Sequence, residues 1–296
     1  MALGLRGHED TSTDTVAEEL KLAAELGLRT SVHTGSDGTA RSVADLREHG
    51  LLRDTTTFVH GNGIDDDELR MLAEAGSSVS ISPDVGLKRG FGRPLTGRVL
   101  AAGLRPTLSV DDVPAAGGDM FSTMRTAYAV QRCLDGGLRS RDLLEFATVD
   151  GAQACGLGAR TGSITPGKDA DVILLRADDL TVFPVSDPAA TIVSAGHPGL
   201  VDTVLVAGRI LKRDGVLVGR GSPGAEDPTG GITQSDRGGR RHTARRYVAS
   251  AAGIGVAVLG PTASVADLVV TTDTTKDRGP SCGKPRLRVG APLPGW

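Results

Sequence analysis

Short β-branched runs alternate with amphipathic segments through residues 1–135, and this alternation constrains the fold more than any other feature of the chain. "TSTDTVAEELKLAAELG" (11–27) sets Val16, Leu20, Ala23 and Leu26 at helical spacing, with Ser, Thr and Asp ahead of them and Gly27 behind. "LRTSVH" (28–33) follows as a strand, and "SVADLREHGLL" (42–52) as a second helix. "TTTFVH" (55–60), "SSVSISP" (77–83) and "RPTLSV" (105–110) read as three more strands. Between and after them come helices in "DDDELRMLAEAG" (65–76), "RPLTGRVLAAG" (93–103) and "GDMFSTMRTAYAVQRCLDGG" (118–137). Asp65 with Glu68 three residues later forms a capping-box pattern, with acids at the positive end of the helix dipole. Four strand–helix units in succession predict a parallel sheet with crossover helices, half of an eight-fold α/β barrel.

In such a sheet every strand ends on the same side. His33, His60, Pro83 with Asp84, and Asp111 each stand at or just past a predicted strand end, so they are expected to converge on one face. Neutral imidazole suits a divalent transition metal. An aspartate completes such a site as an anionic ligand or as the base that takes a proton from water. His33 and Asp111 fit those roles. His60 fits either a ligand or a group that stabilises charge on the attacked substrate. Read singly, each histidine is more often a structural residue, and Asp111 with Asp112 is open to reading as a cap for the next helix. His8 and His49 fall in loop and helix contexts, His197 in a β-rich stretch and His242 in a basic tail.

The character changes along the rest of the chain. Residues 140–158 read as a helix pair, which closes a barrel segment over 1–158. Residues 159–220, with "DADVILL" and the strand–turn–strand "VDTVLVAGRILKRDGVLVG", read as a small β module. Residues 221–296 are Gly-, Arg- and Pro-rich, carry ten Lys/Arg against six Asp/Glu, and are expected to be a low-complexity, disordered tail. The net charge of −3 argues against bulk attraction to nucleic acid or membrane, and the Arg cluster at 237–246 reads as a solvated linker. Three widely spaced cysteines without a C-x-x-C, no long apolar run and no secretory leader predict a cytoplasmic protein without disulfides.

"SVHTG", "FVHGNGIDDDELRMLAEAGSSVSISPD" and "RPTLSVDDVPAAGGDMFSTMRTAYAVQR", followed by "GSITPGKDADVILL", resemble the second half of the metal-dependent amidohydrolases. The similar subgroup is that of cytosine deaminase, guanine deaminase and the triazine hydrolases. The resemblance covers roughly residues 1–220. It implies a partial (β/α)8 barrel, entered around the fourth strand, with a β-sandwich segment. It also implies one divalent metal, zinc or iron, that activates water against a C–N bond of a small heterocyclic substrate.

By position, His33 matches the metal ligand after the fifth barrel strand, His60 the substrate-contacting histidine after the sixth, and Asp111 the metal-binding and proton-shuttling aspartate after the eighth. The departures are specific. No His-x-His occurs anywhere. Ser36 stands where many members carry a glutamate proton donor. The loop "PDVGLKRGFG" has Gly86 and Phe91 where acidic or histidine side chains are expected. An N-terminal truncation of the family pattern is the expectation that follows. Two function classes remain open: a metal-dependent hydrolase of non-peptide C–N bonds, and a catalytically inactive truncated homologue that acts through protein association, with a homo-oligomer as one form of it.

Overall fold

The computed structural model describes residues 1–8, 10–36, 41–92, 94–113 and 115–218, and the backbone of 255–257. The first region is a parallel sheet in strict chain order: β1 (Ala2–Leu5), β2 (Arg29–Thr34), β3 (Thr56–His60), β4 (Ser78–Ile81) and β5 (Thr107–Leu108). Helices α1 (Thr13–Glu25), α2 (Ser42–Glu48), α3 (Asp66–Glu74), α4 (Pro83–Arg89), α5 (Thr96–Ala101) and α6 (Met120–Leu134) fill the crossovers and the exit from β5. The predicted alternation is therefore that of a partial β/α barrel, with five strands rather than the four that sequence periodicity delivers. β1 lies at the very start of the chain, where four residues are too few to show a period.

Local chemistry accounts for the helix ends. Ser12 accepts a hydrogen bond from the Thr15 N–H and starts α1, whose Val16, Ala17, Leu20 and Ala23 are buried. Asp65 and Glu68 form the capping box that their spacing predicts. Glu68 does more than cap its own helix: its Oε1 accepts from the Val43 and Ala44 N–H groups at the start of α2, at 2.9 and 3.2 Å. That first turn has Arg41 at its cap with no side-chain acceptor of its own.

Two local expectations, one of a strand and one of a loop, shift. The predicted strand 105–110 shrinks to Thr107–Leu108, because Pro106 offers no ladder donor and the chain turns left-handed at Asp111. "PDVGLKRGFG", expected as a loop, folds over its first seven residues into α4. Pro83 stands at the first helical position, Lys88 and Arg89 in the last turn, and Gly90 in the left-handed C-cap conformation.

Register gives the sheet two unlike faces. Thr30, Val32, Thr56, Phe58, Val79 and Ile81 are buried on the face the helices cover. The opposite face carries Ser31, Thr57, Val59, Ser80 and Thr107 and borders a cavity of about 570 Å³. Helices α7 (Ser140–Phe146) and α8 (Val149–Ala154) then lead out of the barrel segment. At the end of α8 the Arg29 Nε donates to the Ala154 carbonyl at 3.0 Å.

The second sheet has the order β10-β6-β7-β8-β9. Its strands are β6 (Val172–Leu175), β7 (Val201–Val206), β8 (Arg209–Arg213), β9 (Val216–Leu217) and β10 (Gly255–Ala257). The pairs from β6 to β9 are antiparallel, while β10 joins β6 in parallel. The rest of 221–296, including the Arg cluster and the stretch expected to be disordered, lies outside the described residues. Helix α9 (Pro188–Ala195), which sequence patterning does not single out, packs on α6 and α7. Arg125 of α6 donates to the carbonyls of Ser194 and Gly196 beside it. Ile173, Leu175, Ile192 and Val193 share one apolar core with Phe121 and Phe146. Among the described residues no helix is long and apolar enough to cross a membrane. Cys133 and Cys155 are free and exposed.

Candidate active site

The three residues singled out from the sequence meet at the carboxyl ends of the parallel strands. His33 is the penultimate residue of β2 and open to solvent, whereas His60 ends β3 and is 4% exposed. Their rings lie edge to face with centroids 5.0 Å apart. Asp111 follows β5, and its Oδ2 is 3.8 Å from His60 Nε2, beyond hydrogen-bond length but close enough for a protonated imidazole to feel the carboxylate.

The contact between the histidines needs a backbone device. The register pairs His33 with Val59 and Thr34 with His60, so a regular strand would send the two imidazoles to opposite faces. His60 instead has φ +70°, and this left-handed turn brings its ring back to His33. Asp111 is left-handed as well, at φ +63°, with its N–H donated to Ser109 Oγ at 3.0 Å. Left-handed non-glycine residues carry strain of about 1–3 kcal/mol each and cluster where function requires a particular side-chain direction.

The neighbouring strand ends complete the rim. His8 follows β1, a strand too short for sequence periodicity to reveal, so in the sequence it reads as a loop residue. Burial lowers the His8 imidazole pKa below its ordinary value, against the raising influence of Asp45 and Glu68. Asp84, in the first turn of α4, accepts from Thr126 Oγ1 of α6 at 2.7 Å. Phe91 lies 5.4 Å from His60, ring to ring, at an interplanar angle of 70°. Arg89 forms an ion pair with Asp112, the residue after Asp111. Phe91 stands in the sequence only as a departure from the expected acidic or histidine side chain, and Arg89 carries no chemical signature there. Ser36 sits two residues past β2.

Imidazole and carboxylate are apt donors for a divalent ion such as zinc. Among the described residues, however, no group of three or more His, Cys, Asp or Glu side chains is assembled to hold one. The donor types fit a metal; their number does not complete a site. What the trio itself offers is a carboxylate, Asp111, beside a buried imidazole and an exposed one.

The profile of the amidohydrolase family matches residues 2–211. A 5'-deoxyadenosine deaminase of Methanothermobacter thermautotrophicus is 32% identical over 231 residues, covering 73% of this chain and 54% of that protein. A 5-methylthioadenosine/S-adenosylhomocysteine deaminase of Pyrococcus abyssi is 29% identical over 177 residues, 58% of this chain and 41% of that protein. The chain thus spans about half the length of the curated relatives it matches. Among solved structures, an adenosine deaminase of Xanthomonas campestris with bound zinc superposes with a TM-score of 0.67 at 26% identity, covering 73% of this chain and 53% of that one. The zinc complex of an atrazine chlorohydrolase of Arthrobacter aurescens shares the fold with a TM-score of 0.66 at 23% identity, covering 73% and 51%.

Proposed function

The chain belongs to the amidohydrolase family, and from that premise we propose that it works as a hydrolase of non-peptide C–N bonds in small heterocyclic substrates, of the deaminase type. The observation that carries this reading is the convergence of His33, His60 and Asp111 at the carboxyl ends of β2, β3 and β5, two of them through left-handed backbone. The reaction adds the hydroxyl of water to a ring carbon and expels ammonia or an amine. Asp111 takes the proton from the attacking water and returns it to the leaving nitrogen. His60, buried and fixed in direction, stabilises the charge that develops on the substrate. His33 and Asp111 are the donors proposed for a divalent ion, zinc or iron, which supplies Lewis-acid activation of water when bound; further ligands have to join them. The proposed compartment is the cytoplasm.

The purified full-length chain, incubated with aminated purines, pyrimidines and triazines, is expected to release ammonia. Asp111→Asn and His60→Ala each lower the rate by about a hundred- to ten-thousand-fold. Metal analysis of the same preparations is expected to find zinc or iron that His33→Ala loses.

A second reading is favoured by one observation, the absence of a three-donor cluster among the described residues. On it the chain is a catalytically inactive homologue that acts by association, with a copy of itself or another protein. A preparation without metal, without ammonia release and with an oligomeric mass in light scattering selects that reading over the first.

A further inference from the structure

Resting on the hydrolase reading of the site, we propose that Phe91 is the wall against which a planar heteroaromatic substrate ring docks beside His60, and that the Arg89–Asp112 ion pair holds it in position. The chain has five phenylalanines. Phe58, Phe121 and Phe146 are consumed by the core, and Phe183 is exposed. Phe91 alone stands at the strand-end rim, half-buried, with its ring against that of His60.

Its placement is built rather than incidental. Gly90 and Gly92 flank it at φ +77° and +102°, conformations that turn the chain sharply on either side. Its own N–H returns to the Gly86 carbonyl at 2.8 Å, folding the residue back over α4. The helix beneath is fastened at both ends, by Asp84 to Thr126 of α6 and by Arg89 to Asp112 beside Asp111. An aromatic face held next to the imidazole that meets the reacting group suits a flat π-system, because offset and edge-to-face ring pairs add attraction beyond buried area. Arg89 is a positioning residue on this account: it acts through Phe91 and touches no substrate.

Isothermal titration of the full-length chain with adenosine, a heteroaromatic amine, tests the assignment. Phe91→Tyr, which keeps the ring, retains the affinity of the parent chain. Phe91→Leu, which keeps bulk but not the π-face, and Phe91→Ala both bind about tenfold more weakly. Arg89→Gln weakens binding in the same direction, and combining it with Phe91→Ala adds nothing further, whereas independent structural roles would add. Thermal melts establish that each variant folds; if Phe91→Ala does not, the Leu and Tyr pair decides. Parent-like affinity in Phe91→Leu overturns the Phe91 assignment and leaves the hydrolase reading standing. A parent chain that binds no adenosine and no other aminated heteroaromatic ring overturns both.

Discussion

At Gly7 the backbone passes against β2 so closely that a Cβ would overlap the carbonyl oxygen of His33, and the residue sits at φ +82° besides. Gly7→Ala therefore carries both a steric and a conformational cost. It is expected to lower stability by about 1–3 kcal/mol in denaturant unfolding. Part of that strain falls on His33, so the His33–His60 ring contact, read by imidazole NMR, is expected to shift; an unchanged spectrum and midpoint would contradict the account. Glu68 is a second residue whose role exceeds its motif. The capping box is legible as Asp65-x-x-Glu68, but the bonds to Val43 and Ala44 join residues some two dozen positions apart. Glu68→Ala strips the first turn of α2 of its acceptor as well as α3 of its box, and is expected to cost about 1–3 kcal/mol, more than an isolated cap.

Among the elements, α7 offers a pH test. Asp142 accepts from the Arg139 backbone N–H, from Nε at 3.0 Å and from Nη2 at 2.7 Å. The Arg139 side chain is the main cause that holds its carboxyl below the usual range. A depressed folded-state pKa means that the stabilisation is present above the unfolded pKa of about 3.9 and is lost as pH falls through the folded value. Asp142→Asn is thus expected to lower the melting temperature at neutral pH. The gap to the parent chain should narrow progressively below about pH 4; a gap independent of pH would remove the carboxylate from the explanation. α4 shows why loops and helices are confused in sequence. Its seven residues span two turns, too short for periodicity to outweigh an internal Gly86, and only the proline start and glycine stop betray it.

For the molecule as a whole, the sheet order fixes where the fold is firmest. β2, β3 and β4 have neighbours on both sides, while β1 has a partner on one side only among the described residues, and β5 is two residues long. Hydrogen exchange is expected to be slowest in β2 and β3 and fastest in β1 and β5, since protection follows paired and buried backbone. Uniform exchange across the five strands would contradict that order. The unlike faces bear on the same point: parallel sheets are ordinarily covered on both sides, yet here the Ser- and Thr-lined face borders open volume. Ile173 and Leu175 of the second sheet share one buried apolar core with α6, α7 and α9.

The sequence by itself determined the alternation, the parallel crossover pattern and the membership of His33, His60 and Asp111 in one rim, because period, caps and strand-end position are local properties of neighbouring residues. It could not show β1, α4 as a helix, or the return of the His60 ring toward His33. Those depend on hydrogen bonds between distant segments and on a left-handed turn that no propensity demands. The contacts of Phe91 with His60 and of Arg89 with Asp112 belong to the same class. They form only when α4 is laid beside β3 and the segment after β5, and the packing of the whole sheet decides that placement.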